Sequence, residues 1–136
     1  MIKLVAYFAV ALLLGGMVFF AAVVAPLVFT RLPPEHAGRF IRALFPFYYL
    51  YVFATATVSA IALAGSDPVA AGLLAIVAAV TLWLRQGLMG RINRLSDNAR
   101  AGDKQAQVQF DRAHRLSVIV NMAQLLAVAW SLVRLA

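Results

Sequence analysis

Apolar positions run without a charge from Leu4 to Thr30, a stretch of 27 residues. About 20 residues of helix cross a hydrocarbon core of roughly 30 Å, so this run predicts a first membrane span. Uncharged runs recur at Ala43–Ala64 and Val69–Leu84, and a fourth at Leu116–Val133 carries only isolated polar positions. The pattern predicts an all-α protein of one domain, residues 1–136. It reads as an integral membrane four-helix bundle with spans near 4–30, 43–64, 69–84 and 116–133. Lys3 before an apolar run resembles a signal peptide, but a signal core is only about 7–15 residues long. The first span therefore reads as retained.

The breaks between runs have their own chemistry. Pro33 and Pro34 stop the first helix and preset the start of the second, with Glu35 suited to a helix N-terminus. Gly65-Ser66-Asp67-Pro68 is a tight turn between neighbouring spans. Inside the first span, Gly15, Gly16, Ala21, Ala22 and Ala25 offer a smooth surface, and Pro26 predicts a kink. In the second, Ala56, Ala60 and Ala64, with Thr55 and Ser59, predict a small-residue packing face. Its entrance, Phe45 to Tyr51, is an aromatic cluster suited to the membrane interface.

After Leu84 the chain turns amphipathic. Leu88, Ile92 and Leu95 keep an apolar stripe, while Arg91, Arg94, Asn98 and Arg100 form the polar side. Gly102 breaks this pattern, and Asp103 is a good N-cap for a second helix. Residues 69–101 and 103–133 thus read as two long helices folded about Gly102. Helices 3 and 4 would extend beyond the bilayer as a cytoplasmic antiparallel hairpin, its tip roughly 20–25 Å out. Val108, Phe110 and Ala113 would face the first stripe, with Arg94 near Asp111 and Arg91 near His114.

Composition and charge turn this topology into an orientation. The chain is 64% hydrophobic and 12% charged, with a net charge of +7 and no cysteine. Soluble domains are nearer one quarter charged. Without cysteine there is no disulfide, thiolate metal site or cysteine nucleophile. The positive charge has no soluble basic module to sit on, so it points to anionic lipid and not to nucleic acid. Ten Lys and Arg fall in loops 31–42 and 85–115, against Lys3 and Arg134 elsewhere. The positive-inside rule then places both loops in the cytoplasm and both termini outside a bacterial-type inner membrane.

The candidate chemistry gathers on the fourth helix. His114, Ser117, Asn121 and Gln124 follow at steps of three, four and three, one per turn on one face. That face predicts a ligand-binding pocket near the cytoplasmic end, with Arg91 opposite and Tyr48 and Tyr49 at its mouth. Arg91 favours a small polar or anionic guest, such as a lipid head group. The same residues also suit hydrogen bonds that hold helices together. His36 and His114 share one membrane face and are the candidate ligands for a metal or haem, although two imidazoles are too few for a closed structural site. No cofactor is predicted otherwise. No acid is placed to complete a triad with Ser117 and His114, and there is no phosphate loop or dinucleotide fingerprint.

Several segments together resemble the transmembrane-protein-205-like family. They are Gly16 through Phe19 to Pro26 and Phe29; Ala37-Gly38 with Leu44-Phe45-Pro46-Phe47-Tyr48-Tyr49; and Arg91-Ile92-Asn93, then Phe110 to Ser117 and Asn121. The resemblance covers nearly the whole chain and implies a four-helix integral membrane protein with a domain of unknown function and no established reaction. Three functions stay open. The first is a non-enzymatic protein binding a small polar ligand or lipid head group. The second is a membrane oxidoreductase or metal-handling protein using His36 and His114. The third is a scaffold or subunit that docks a membrane partner, or a second copy, through the 85–115 hairpin.

Overall fold

The computed structural model describes all residues, Met1–Ala136. Four long helices follow one another: α1 (Ile2–Arg31), α2 (Pro34–Leu63), α3 (Pro68–Arg100) and α4 (Lys104–Leu135). Each is long and apolar enough to cross a membrane. They pack in a ring, each antiparallel to the next, with α4 returning beside α1. The large apolar side chains point outward: Phe8, Phe47, Ile61, Ile76, Leu126 and Val133 are all exposed. The interior is built partly from small residues, with Ala6, Ala56, Ala70, Ser59 and Ser131 fully buried. Such an inside-out distribution suits lipid, where contact between helices depends on close packing and not on escape from water.

The three connections form for local reasons. Leu32 is extended before Pro33 (φ −104°, ψ 144°), because the proline ring disfavours a helical residue ahead of it. At the second turn, Asp67 Oδ1 accepts from the Ala70 N–H at 3.1 Å and caps α3. Gly102 closes α3 at φ +102°, a backbone conformation that a side chain would oppose. There the Gly102 N–H reaches the Ala99 carbonyl and the Asp103 N–H the Asn98 carbonyl, both at 3.1 Å, the paired bonds of a Schellman stop. Asp103 Oδ1 then accepts from Gln105 N and Ala106 N at 3.0 and 3.1 Å, starting α4.

Prolines do not break the helices. Ahead of Pro26, α1 widens into one π-helical turn over Phe20–Val24, with the Ala25 N–H reaching the Phe20 carbonyl. The wider turn accommodates the proline ring, and the helix continues to Arg31. Pro46 lies inside α2, which runs unbroken from Pro34. A second π-helical turn, Leu84–Leu88, marks the point where α3 changes from apolar to amphipathic.

Packing refines the expected faces. Val52, Ala56, Ser59 and Leu63 form the buried face of α2, whereas Ala60 is half-buried and Ala64 exposed. A strict four-residue step drifts about 40° per turn around a helix of 3.6 residues per turn, so the 56–60–64 series leaves the interface. On α4, Ala106 and Ala113 are buried with Phe110 packed against the core, while Val108 is exposed. Two residues from Phe110 is more than half a turn away, so Val108 cannot share its face.

The basic end differs most from expectation. Beyond the apolar segments α3 and α4 do not travel alone, because α2 accompanies them. Arg42 Nη2 donates to the Asn93 carbonyl and to Asp97 Oδ1, both at 2.9 Å. The Arg100 guanidinium lies over Gly38, where a Cβ would stand 2.8 Å from Nη2. The α3 arm of the expected hairpin is therefore packed against the first turns of α2.

Candidate functional site

The polar side chains near the basic end fall into layers. The deepest is a knot on the Val77 carbonyl. Gln124 Nε2 donates to that carbonyl at 3.1 Å and to Thr81 Oγ1 at 2.9 Å. Thr81 donates in turn to the same carbonyl at 2.8 Å. Gln124 is 6% exposed and Thr81 fully buried, so α4 is tied to α3 by groups that water does not reach. None of these groups titrates near neutral pH, so the knot holds helices and moves no proton.

One layer toward the basic end, the Tyr48 hydroxyl donates to Asn121 Oδ1 at 3.0 Å and joins α2 to α4 across the bundle. The ring stacks on Phe20 of α1, with centroids 4.3 Å apart and planes 26° from parallel. Phe45 and Tyr49 complete the cluster, at 5.4 Å from Phe20 and 5.6 Å from Tyr48 respectively. Phe20 opens the π-helical turn of α1, so that distortion and the aromatic cluster occupy one level of the bundle. In the next layer Arg85 Nε donates to the Pro46 carbonyl at 3.2 Å. Its side chain turns inward to α2.

The remaining predicted site residues stand apart from these ties. Ser117 donates to the carbonyl of His114 one turn before it, at 2.7 Å. His114 is exposed and parallel to the Phe110 ring, centroids 5.9 Å apart. Arg91 is exposed and makes no ion pair. The expected Arg94–Asp111 pair does not form: Asp111 accepts instead from Gln107 Nε2, its neighbour one turn earlier, at 3.0 Å. His36 Nδ1 lies 3.1 Å from Arg39 Nη2, which takes up that ring nitrogen as an acceptor. No three His, Asp or Glu side chains gather anywhere in the bundle. The structure thus joins Tyr48 to Asn121 and ties Gln124 to α3, and leaves Arg91 and His114 on the surface.

Several partners were not singled out in the sequence. Thr81 breaks the apolar run of residues 69–84, and that break was its signal. Asp97 and Arg42 carry no local signal, because they meet only through the register of α2 on α3.

The charge is distributed as unevenly in space as along the chain. At the basic end Arg42 alone is in an ion pair, with Asp97 at 2.9 Å. Arg31, Arg39, Arg91, Arg94, Arg100, Lys104, Arg112 and Arg115 are exposed, and none of them is in an ion pair. At the opposite end Arg134 Nε holds Asp67 Oδ2 at 2.6 Å. This bond from Arg134 is the main reason the Asp67 carboxyl titrates below the usual carboxylate range, and the Ala70 N–H adds to it.

Fold and site define a class: a small bundle of four membrane-length helices, tied internally by neutral polar groups and strongly basic at one end. Four such helices fit a multi-pass membrane protein. The chain belongs to the family described as "Domain of unknown function (DUF4149)", whose model matches residues 8–101. Comparison with curated proteins and with solved structures finds no significant match.

Proposed function

We propose that this chain is a non-enzymatic protein of a bacterial-type inner membrane that binds anionic head groups at its cytoplasmic end. Both termini lie outside, and loops 31–42 and 85–115 face the cytoplasm. The transmembrane-protein-205-like resemblance belongs to this reading as the finer family placement. The observation that carries it is the basic end, where eight exposed Lys and Arg have no acidic partner within the protein. Each such charge close to an anionic leaflet is worth about 1 kcal/mol. Arginine adds forked donors that match phosphate oxygens. The Tyr48–Asn121 and Gln124–Thr81 bonds have a supporting role, in which they fix α4, the helix that carries Arg112 and Arg115, to α2 and α3.

Native mass spectrometry on protein released from nanodiscs of mixed phosphatidylcholine and phosphatidylglycerol tests this. Wild type should retain phosphatidylglycerol preferentially. Joint replacement Arg91→Gln, Arg94→Gln, Arg112→Gln and Arg115→Gln should lower the number of phosphatidylglycerol molecules retained and so weaken the preference. Equal retention of both lipids by wild type, or an unchanged preference in the variant, refutes the proposal.

A further inference from the structure

The other end of the bundle holds two adjoining cavities. One is an open apolar groove of about 530 Å³ between α3 and α4, lined by Pro68, Val69, Gly72, Leu73, Ile76 and Trp130. The other is a polar crevice of about 180 Å³ whose lining includes Lys3, Tyr7, Ser66, Asp67 and Arg134. They meet at two places. Asp67 of the crevice is bonded to Pro68 of the groove in the chain. Arg134 of the crevice lies over the Trp130 ring of the groove, 5.3 Å from its centroid.

Each half has a character that suits one part of an amphiphile. In the crevice, Arg134 spends Nε on Asp67, while its terminal nitrogens and the Lys3 ammonium have no acidic partner. Two cations thus face a single carboxylate, and the balance favours an anion. The groove runs from Pro68 to Ile76, about 12 Å of helix at 1.5 Å per residue. That depth is close to one leaflet of a hydrocarbon core of roughly 30 Å. At Gly72 a Cβ would meet nothing within 4 Å, so the groove floor is open space and not a close helix contact.

We propose that this face binds one phospholipid with an anionic head group. Its head lies against Lys3 and Arg134, and one acyl chain lies in the groove over Gly72 beside Trp130. The proposal rests on the bilayer placement above but concerns a different end of the protein and different residues.

The test uses full-length protein in phosphatidylcholine nanodiscs doped with phosphatidylglycerol carrying a diazirine in its acyl chain. Photolabel is mapped by mass spectrometry, and phosphatidylcholine with the same diazirine chain is the control. Labelling of Val69–Ile76 and Trp130 should exceed the control at least fivefold. Gly72→Phe, which fills open space, should remove this labelling, and so should Ile76→Trp if Gly72→Phe fails to fold. Lys3→Gln should bring phosphatidylglycerol labelling down to the control level. The four-residue Gln variant at the basic end should leave it unchanged, which separates this site from the one proposed above. Equal labelling by both lipids, or labelling that survives both groove substitutions, overturns the proposal. Crosslinks between two copies of the chain through this face, in place of lipid, overturn it as well.

Discussion

Helices α3 and α4 differ in the balance of packing and polar bonding that holds them in place. In α3, 39% of the most apolar 18-residue segment is buried, against 17% in α4. Between α1 and α2 the contact is close: the Tyr51 ring lies directly on Gly16, and its hydroxyl donates to the Leu12 carbonyl. Helix α4 presents Ile119, Met122, Leu126 and Val133 to the outside. It is secured by discrete polar bonds at Asn121, Gln124 and Arg134, and by the Tyr7 hydroxyl on the Leu135 carbonyl. The family match covers residues 8–101, which is α1 to α3, and stops at the turn into α4. In lipid an apolar helix gains little by leaving its surroundings for a neighbour, so a thinly packed helix needs polar ties to hold its place. The row of polar residues on α4 is explained in part by that need.

This contrast can be broken most severely in the packed half. Gly16→Leu should force the Tyr51 ring off α1 and cost about 1–3 kcal/mol, as overpacking does elsewhere. A Cβ at Gly15 meets nothing, so Gly15→Leu should cause no loss. Unfolding of both variants in mixed micelles, followed by far-UV circular dichroism, compares them directly. Similar stability in the two would deny the close α1–α2 contact.

The tied half should respond more gently. Gln124→Leu removes two interhelical bonds and should cost about 1–2 kcal/mol in the same measurement, near the upper range for such bonds within membranes. A double-mutant cycle with Thr81→Val should show coupling of about 0.6 kcal/mol or more. Additive effects would mean that the Gln124–Thr81 bond contributes nothing.

Smaller still is the Asp67–Arg134 clasp, which is exposed and screened. Its sign follows from the depressed pKa of Asp67. A carboxyl held below its unfolded value, about 3.9, stabilises the fold above that value. The contribution fades as the pH falls through the lower folded value. Asp67→Asn keeps a good helix cap but removes the charge, so it should flatten this acid-side loss and lower neutral-pH stability by the same small amount. An identical acid profile in wild type and variant would count against the clasp. Smallest of all, Arg94→Ala should stay within about 0.5 kcal/mol of wild type, because Arg94 has no ion-pair partner to lose.

Much of this fold is legible in the chain because its signals are local. Uncharged length shows the four long apolar helices, and Pro33-Pro34, Asp67-Pro68 and Gly102-Asp103 show the turns through their own backbone chemistry. Register between helices is not local. Periodicity placed Asn121 and Gln124 on one face, but nothing in the sequence says that Gln124 meets Thr81 or that Tyr48 meets Asn121. The same limit applies to the expected Arg94–Asp111 pair, in whose place Asp111 bonds Gln107 on its own helix. Arg85 was legible as the charge that ends the third uncharged run. Its bond to the Pro46 carbonyl depends on α2 running alongside α3 beyond the apolar segments, and no single-helix pattern carries that information.

Orientation is the claim on which the functional reading depends, and the absence of native cysteine makes it directly measurable. Two single-cysteine variants, Gln105→Cys at the basic end and Ser66→Cys at the other, place exposed thiols on opposite faces. In intact cells a membrane-impermeant maleimide should label Ser66→Cys and spare Gln105→Cys, which should react only after the membrane is opened. Labelling of Gln105→Cys in intact cells, with Ser66→Cys protected, would contradict the account.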